Sequence, residues 1–567
     1  MSEDATVTEL ATARETAADR RAYPDFTDVA HALADELGVC RRPLPMRVYD
    51  TDTHTSKVVG APCKSTLSSA CPACADRNRR LRIQQCREGW HLDVEPVRVT
   101  NEPTELQKAL VLARVDLFAE FQTAKEDSDT DLMAGIREVV TDLDEELRST
   151  GFRKRLPALD AQAAKPRRVR STKRRQDAPN LPKRPRSRRT IGTEYAGKFR
   201  PSMMITLTMP SYGRINSDGA TDEKGHVCGD GSPVDPDHYD YRRAARDTVH
   251  FKSLIDVFIE NLRRVAGWNI QYYGVVEPQR RGAPHIHILI RGTVPREIVK
   301  QVAAATYYQV WWPHHDRQEY GGDRMPVWDY KTGTFVDPDT RHRLHTFEEA
   351  LDIIDSADDV EPAHVVWLGS QIDPKDIRGV LGNSEEAGRH IGYVTKYLTK
   401  AVGEILEPPN QRTADHYDRL HAELQRTPCC EECEVWLLYG IVPKGANEKT
   451  VPGRCKRTAH RRNLLGVPGR RVLNSRQWTG KTLPDHKADR IEFVRQLLAK
   501  VGILKPDTSH LKITPTRPGD KDVPPRDHLI MGELARRRAW QAEWKIAQLA
   551  DASPPGAQDS STIPEAA

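Results

Sequence analysis

The chain has 567 residues, too many for a single hydrophobic core, so two to four domains are expected. Apolar residues make up 38% and charged residues 29%, which leaves parts of the chain as linker. Lysine and arginine total 86 against 81 acids, so a net charge of +5 does not by itself call for a polyanionic partner. No stretch is apolar for long enough to span a membrane, and the opening MSEDATVTEL does not read as an export signal. A soluble, cytoplasmic protein is expected.

In chain order, residues 1–39 read as a polar helical segment and residues 40–104 as a cysteine-rich module. Residues 105–164 carry two helical patterns, LQKALVLARVDLFAEFQ and LMAGIREVVTDLDEELRS. A linker over 165–198 then contains KPRRVRSTKRRQDAPNLPKRPRSRR, with twelve basic residues and one acid. Such a block cannot fold alone and reads as a flexible arm. Lys173, Arg174, Arg175, Arg188 and Arg189 are its candidates for contact with a nucleic-acid backbone.

The texture changes after the arm. SMMITLTMPS (202–211) is an apolar, β-branched strand closed by a turn. Phe251, Leu254, Ile255, Phe258, Ile259 and Leu262 follow at helical spacing, with Gly267 as the stop. NIQYYGVVEP and HIHILIRG read as two strands joined by QRRGAP, a hairpin, with a short helix near 295–308. The order strand, helix, strand, strand, helix resembles a ferredoxin-like split unit with an antiparallel sheet, an α+β fold. An insertion over about 309–375 has no assigned role, and EEAGRHIGYVTKYLTKAVGE (385–404) is a helix candidate. A second cysteine cluster lies in 420–475, a helical region in 476–551 includes an amphipathic stretch from Lys487 to Val501, and the tail 552–567 is expected to be disordered.

Three constellations carry chemistry. In RGAPHIHILIR, His285 and His287 fall on one face of a strand, about 7 Å apart at the backbone. Neutral imidazole is a common metal ligand, although a core pair fits this stretch equally well. On the later helix Tyr393 and Tyr397 are four apart, as are Lys396 and Lys400, so phenols and ammonium groups share neighbouring edges. Core packing explains tyrosines at that spacing, but not the lysines beside them. A phenol near cations, with a metal to polarise a phosphoryl oxygen, can attack a phosphodiester and keep one end of the strand.

The cysteines form the third. Cys63, Cys71, Cys74 and Cys86 are spaced Cys-x7-Cys-x2-Cys-x11-Cys, with Cys40 upstream; Cys430, Cys433, Cys455 and His460 are spaced Cys-x2-Cys-x21-Cys-x4-His, with Cys429 able to replace Cys430. Such spacing favours structural zinc over disulfides in an intracellular chain, with a redox Cys-x-x-Cys or buried thiols as the bland alternative. Arg461, Arg462 and Trp478 lie in a basic stretch around the second set, which reads as a duplex-binding element or, alternatively, a protein-docking module.

YVTKYLTK together with HIH resembles the two-tyrosine class of HUH endonucleases. ITLTMPSYG resembles the first rolling-circle motif and VEPQRRGAPHIHILIRG the second. More narrowly, with the cysteine regions, most of residues 40–505 resembles the RepSA-type replication initiators of actinobacterial plasmids and integrative elements. The resemblance implies an HUH endonuclease domain over 199–405, in which His285, His287 and Glu277 hold Mg²⁺ or Mn²⁺. It implies that Tyr393 or Tyr397 forms a 5′-phosphotyrosine link and leaves a 3′-OH primer, with Lys396 and Lys400 stabilising charge. Implied partners are origin DNA and a host helicase and polymerase, since no GxxxxGK[ST] nucleotide loop is present to drive strand opening. An HUH transposase or conjugative relaxase would share these parts. A non-catalytic, zinc-dependent DNA-binding regulator would return the histidines and tyrosines to the core.

Overall fold

The structure is a computed structural model. It describes residues 25–551, apart from 91–101, 153–155, 161–177, 179, 191–200, 222–224, 226, 358–359, 378–384, 397–404, 468–470, 501, 505–507, 509 and 517–519. Two compact units make up the chain: residues 97–175, and a body built from the segments before and after them.

The body begins with α1 (Phe26–Glu36), where Asp25 and Asp28 exchange side-chain and backbone bonds in a capping box. A hairpin of β1 (Leu44–Asp50) and β2 (Ser56–Ala61) leads to α2 (Pro72–Trp90), which has proline at its first position. The separate unit is a helical pair, α3 (Glu105–Glu126) and α4 (Thr130–Ser149), packed through Phe121, Ile136 and Val140 with Leu159 beside them.

The body resumes with β3 (Ser202–Thr208) and α5 (Tyr241–Ala266), which Asp240 caps at one end and Gly267, at φ 77°, closes at the other. Next come β4 (Tyr272–Pro278), β5 (Pro284–Arg291) and α6 (Arg296–Ala305). They are followed by α7 (Phe347–Ser356), β6 (Ile372–Ile377), α8 (Glu385–Thr395) and α9 (Gln411–Arg426). Then β7 (Val472–Asn474), α10 (Leu483–Lys500), β8 (Leu511–Pro515) and α11 (Arg526–Asp551) complete the body.

Five strands form an antiparallel sheet in the order β6-β3-β5-β4-β7, with the histidine strand β5 at its centre. Its faces are covered differently. Ile286, Ile288 and Ile290 point, with Ile205, Leu207 and Val276, into a core completed by Phe251, Leu254, Ile255, Phe258 and Leu262 of α5. Leu289, Met204, Val275, Tyr273, Ile377 and Val472 point the other way, onto Cys86 and Trp90 of α2, Ile391 and Val394 of α8, and Trp478. Burial on both faces is why the strand reads HIHILI and not as a polar alternation.

Several segments that read separately in the sequence are joined. β8 pairs with β1, with Ile513 opposite Val48, and Ile530 of α11 packs on Ala30, Ala34 and Val39, so the regions 40–104 and 476–551 share a three-stranded sheet. The insertion after residue 309 is the other half of the second cysteine module. His345–Thr346 pairs with Ile441–Val442, and Phe347 and Ala350 pack on Cys433, Val435 and Trp436. Tyr320, Phe335 and Leu344 extend the same packing to Leu437 and Val442. The fifth sheet strand, β7, comes from the end of the 420–475 region, past His460 and outside 199–405. The tail 552–567 lies outside the described residues, and no described helix is long and apolar enough to cross a membrane.

Candidate metal and tyrosine site

The sheet register assembles the site. His285 pairs with Glu277 on one side and Thr208 on the other, while His287 pairs with Val275 and Thr206, so all these side chains share the face beneath α8. The hairpin loop closes with Gly282 at φ 77° and is held by Arg281, which donates to the carbonyls of Met209 and Pro210. Nε2 of His285 and Nε2 of His287 are 3.2 Å apart, and Glu277 Oε2 lies 3.6 Å from the first and 3.8 Å from the second.

Burial dominates the electrostatics. It pulls His285 down to about 3, helped by His287, and His287 down to about 4, helped by Lys375, so both rings are neutral near pH 7. It pushes Glu277 up to about 8, against the opposing pull of Arg471 and Lys396. Nδ1 of His287 is 2.9 Å from Thr206 Oγ1. With that nitrogen donating to the hydroxyl, the Nε2 lone pair faces Glu277. Glu277 Oε1 and His285 Nδ1 are buried with no hydrogen-bond partner among the described residues. Three nitrogen and oxygen donors within 4.8 Å, a carboxyl penalised by burial and orphaned polar atoms together fit a divalent cation with open positions.

Tyr393 stands beside this triad. Ile391 and Val394 anchor α8 in the core below, while the Tyr393 ring is half exposed and meets His287 edge-on at 5.0 Å and 73°. Lys396 is exposed and acts electrostatically on Glu277. Tyr397 and Lys400 lie outside the described residues. Sequence reasoning did not find Thr206, the Asp373–Lys375 pair on β6, or Arg471, whose carbonyl accepts the Val276 N–H at 2.8 Å next to Glu277. The alternation of Thr206 and Thr208 in ITLT was the one local signal for the first of these.

The cysteine sets need two corrections. Cys40, Cys63, Cys71 and Cys74 converge within 4.8 Å; Cys86 does not join them. Cys74 and Cys86 sit twelve residues apart on α2, a separation of about 18 Å along a helix, so one ion cannot hold both. Cys86 is instead fully buried against Trp90 and Trp478, and burial pushes its thiol well up. Cys40 takes the vacated place, 3.8 Å from the Cys71 sulfur and accepting the Cys63 N–H.

In the second set Cys429, not Cys430, converges with Cys433, Cys455 and His460. The Cys430 carbonyl turns inward to accept from Cys433 and from Trp436 Nε1. His460 Nδ1 bonds the Leu424 carbonyl at 2.9 Å, which aims Nε2 at Cys433 Sγ, 3.3 Å away. The first set offers four thiols and the second three thiols and an imidazole, four donors each as a structural zinc site requires.

The basic candidates divide. Arg188, Arg189 and Arg461 are exposed, and Lys173, Arg174 and Arg175 lie outside the described residues. Arg462 is engaged locally by Asp418 and the face of Tyr417. The end of the arm is seated and not free: the Arg184 and Ser187 N–H groups bond the Arg264 and Gly267 carbonyls at the α5 terminus, where helical carbonyls lack partners.

Comparison with known proteins gives the family of the chain. The RepSA family model, described as replication initiator protein, pSAM2, matches residues 26–536. A replication initiator protein of Streptomyces ambofaciens is 25% identical over 253 residues, covering 39% of this chain and 49% of that relative. The match therefore spans about half the length of the curated relative. No solved structure matches the chain. A family match that runs from α1 into α11, through the sheet and both cysteine sets, makes this chain a member of the RepSA family of replication initiator proteins.

Proposed function

We propose that the protein nicks one strand of its own replication origin and becomes joined to the 5′ end, leaving a 3′-OH from which a host polymerase extends. The observation that carries this reading is the convergence of Glu277, His285 and His287 with the Tyr393 ring against His287. An antiparallel sheet with the histidines on its central strand supports a ferredoxin-like HUH domain for the catalytic part.

Glu277, His285 and His287 would hold Mg²⁺ or Mn²⁺, which when bound polarises a phosphoryl oxygen. Tyr393 attacks the phosphorus: the phenolic O–P bond forms, the P–O3′ bond breaks, the phenol proton passes to solvent and the departing 3′ oxygen takes one up. Lys396, with Lys400, offsets charge on the phosphate, and Tyr397 serves the second transfer that closes the circle. The cysteine sets hold zinc, the second of them presents Arg461 to duplex DNA, and the arm residues Lys173, Arg174, Arg175, Arg188 and Arg189 contact the phosphate backbone separately. Host helicase supplies strand opening. Family membership favours initiation over the transposase or relaxase reading of the same parts.

The test is a denaturing gel of full-length protein with Mn²⁺ and a randomised single-stranded DNA pool, followed by mass spectrometry of any adduct. An adduct on Tyr393 or Tyr397 that disappears in His287→Ala is the expected result. No adduct, with origin DNA included, overturns the reading in favour of a zinc-held DNA-binding regulator.

A further inference from the structure

Lys396, just past the end of α8, is not the only described lysine on the side of the site that carries Tyr393. β6, at the sheet edge, places Asp373 opposite Thr206, which is itself opposite His287, so Asp373 lies in the cross-sheet row of the metal triad. Lys375 is opposite Met204, one row along on the same face. Two residues further, Ile377 belongs to the same core as Ile391 and Val394 of α8, the helix that carries Tyr393. Lys375 Nζ is 2.9 Å from Asp373 Oδ2, and the two side chains are 59% and 54% exposed, at the open rim of the site.

We propose that Lys375, steadied by Asp373, contacts the DNA phosphate that Tyr393 attacks. The inference rests on the nicking reading above and adds a substrate contact to it. Asp373 first, and Tyr393 among the lesser causes, hold the Lys375 charge in place. Lys396 acts at the other end, on Glu277. A phosphate between the triad and Tyr393 would thus meet one cation from the residue after α8 and one from the edge strand. An ordinary exposed ion pair at β6 would contribute little to stability and nothing to the chemistry.

The experiment uses full-length protein, Mn²⁺ and the single-stranded oligonucleotide recovered as the wild-type adduct, with single-turnover adduct formation followed against DNA concentration. Lys375→Ala should lower the saturating rate constant on the order of 10- to 100-fold, with the half-saturating concentration changed by less than about 3-fold. Lys375→Arg should recover most of that rate. An unchanged Lys375→Ala rate, or a change only in half-saturation, overturns the role of Lys375 and leaves the nicking reading standing. Absence of a wild-type adduct overturns the nicking reading itself and this inference with it.

Discussion

The triad on the sheet and the cysteine–histidine set beyond α9 are both clusters of metal-binding side chains, yet they are built oppositely. The second set closes three thiols and an imidazole around one point, and its Cys433 belongs to the same core as Phe347 and Trp436. The triad supplies three harder donors, leaves Glu277 Oε1 and His285 Nδ1 without partners among the described residues, and borders a half-exposed tyrosine. A closed site is part of the folding free energy, whereas an open one is held by a sheet that folds without it.

That contrast can be broken by one pair of substitutions, which carries the largest expected effect. Cys433→Ser should release zinc and unfold the module together with the insertion packed on it, because metal-linked folding of small sites is on the order of 10 kcal/mol. Limited proteolysis should then cut within 309–375 as well as near Cys433. His285→Ala should instead abolish adduct formation while zinc content is unchanged and stability falls by only about 1–3 kcal/mol, the cost of a buried polar group left without its neighbour. Loss of zinc in His285→Ala, or an intact insertion in Cys433→Ser, would erase the distinction.

The first cysteine set sharpens it at intermediate size. Cys40→Ser should lower the zinc content measured by atomic emission, although Cys40 lies outside the run Cys63 to Cys86. Cys86→Ser should keep zinc and cost about 1–3 kcal/mol in denaturant unfolding, the penalty for a hydroxyl among Trp90, Trp478 and Tyr273. The opposite pattern would restore Cys86 as a ligand.

These cases separate what was legible from what was not. His285 and His287 were readable because a period of two is local, and Glu277 because a hairpin pairs strands close in sequence. Cys86 misled because spacing alone ignores the rise of the helix between it and Cys74. Cys40, noted only as upstream of its run, and Thr206 and Arg471 were not assigned to a site for a different reason. Each is brought in by pairing or packing between segments far apart in the chain, as are β8 on β1 and the insertion on the second cysteine set. The cation at Lys375 belongs with these, since only the register of β6 on β3 puts it on the site face.

Thr206 gives the smallest and most specific expectation. Its hydroxyl is the partner of His287 Nδ1, and valine would keep its shape in the strand while removing that acceptor. Groups that orient a metal-binding imidazole typically matter about 10- to 100-fold in affinity. Thr206→Val should therefore weaken Mn²⁺ binding, followed by calorimetric titration of full-length protein, by that order, with zinc content unaltered. Thr206→Ser, which keeps the oxygen, should bind Mn²⁺ nearly as the wild type does. Equal weakening in both would mean that packing beside His287, and not the orientation of its ring, is what the open site depends on.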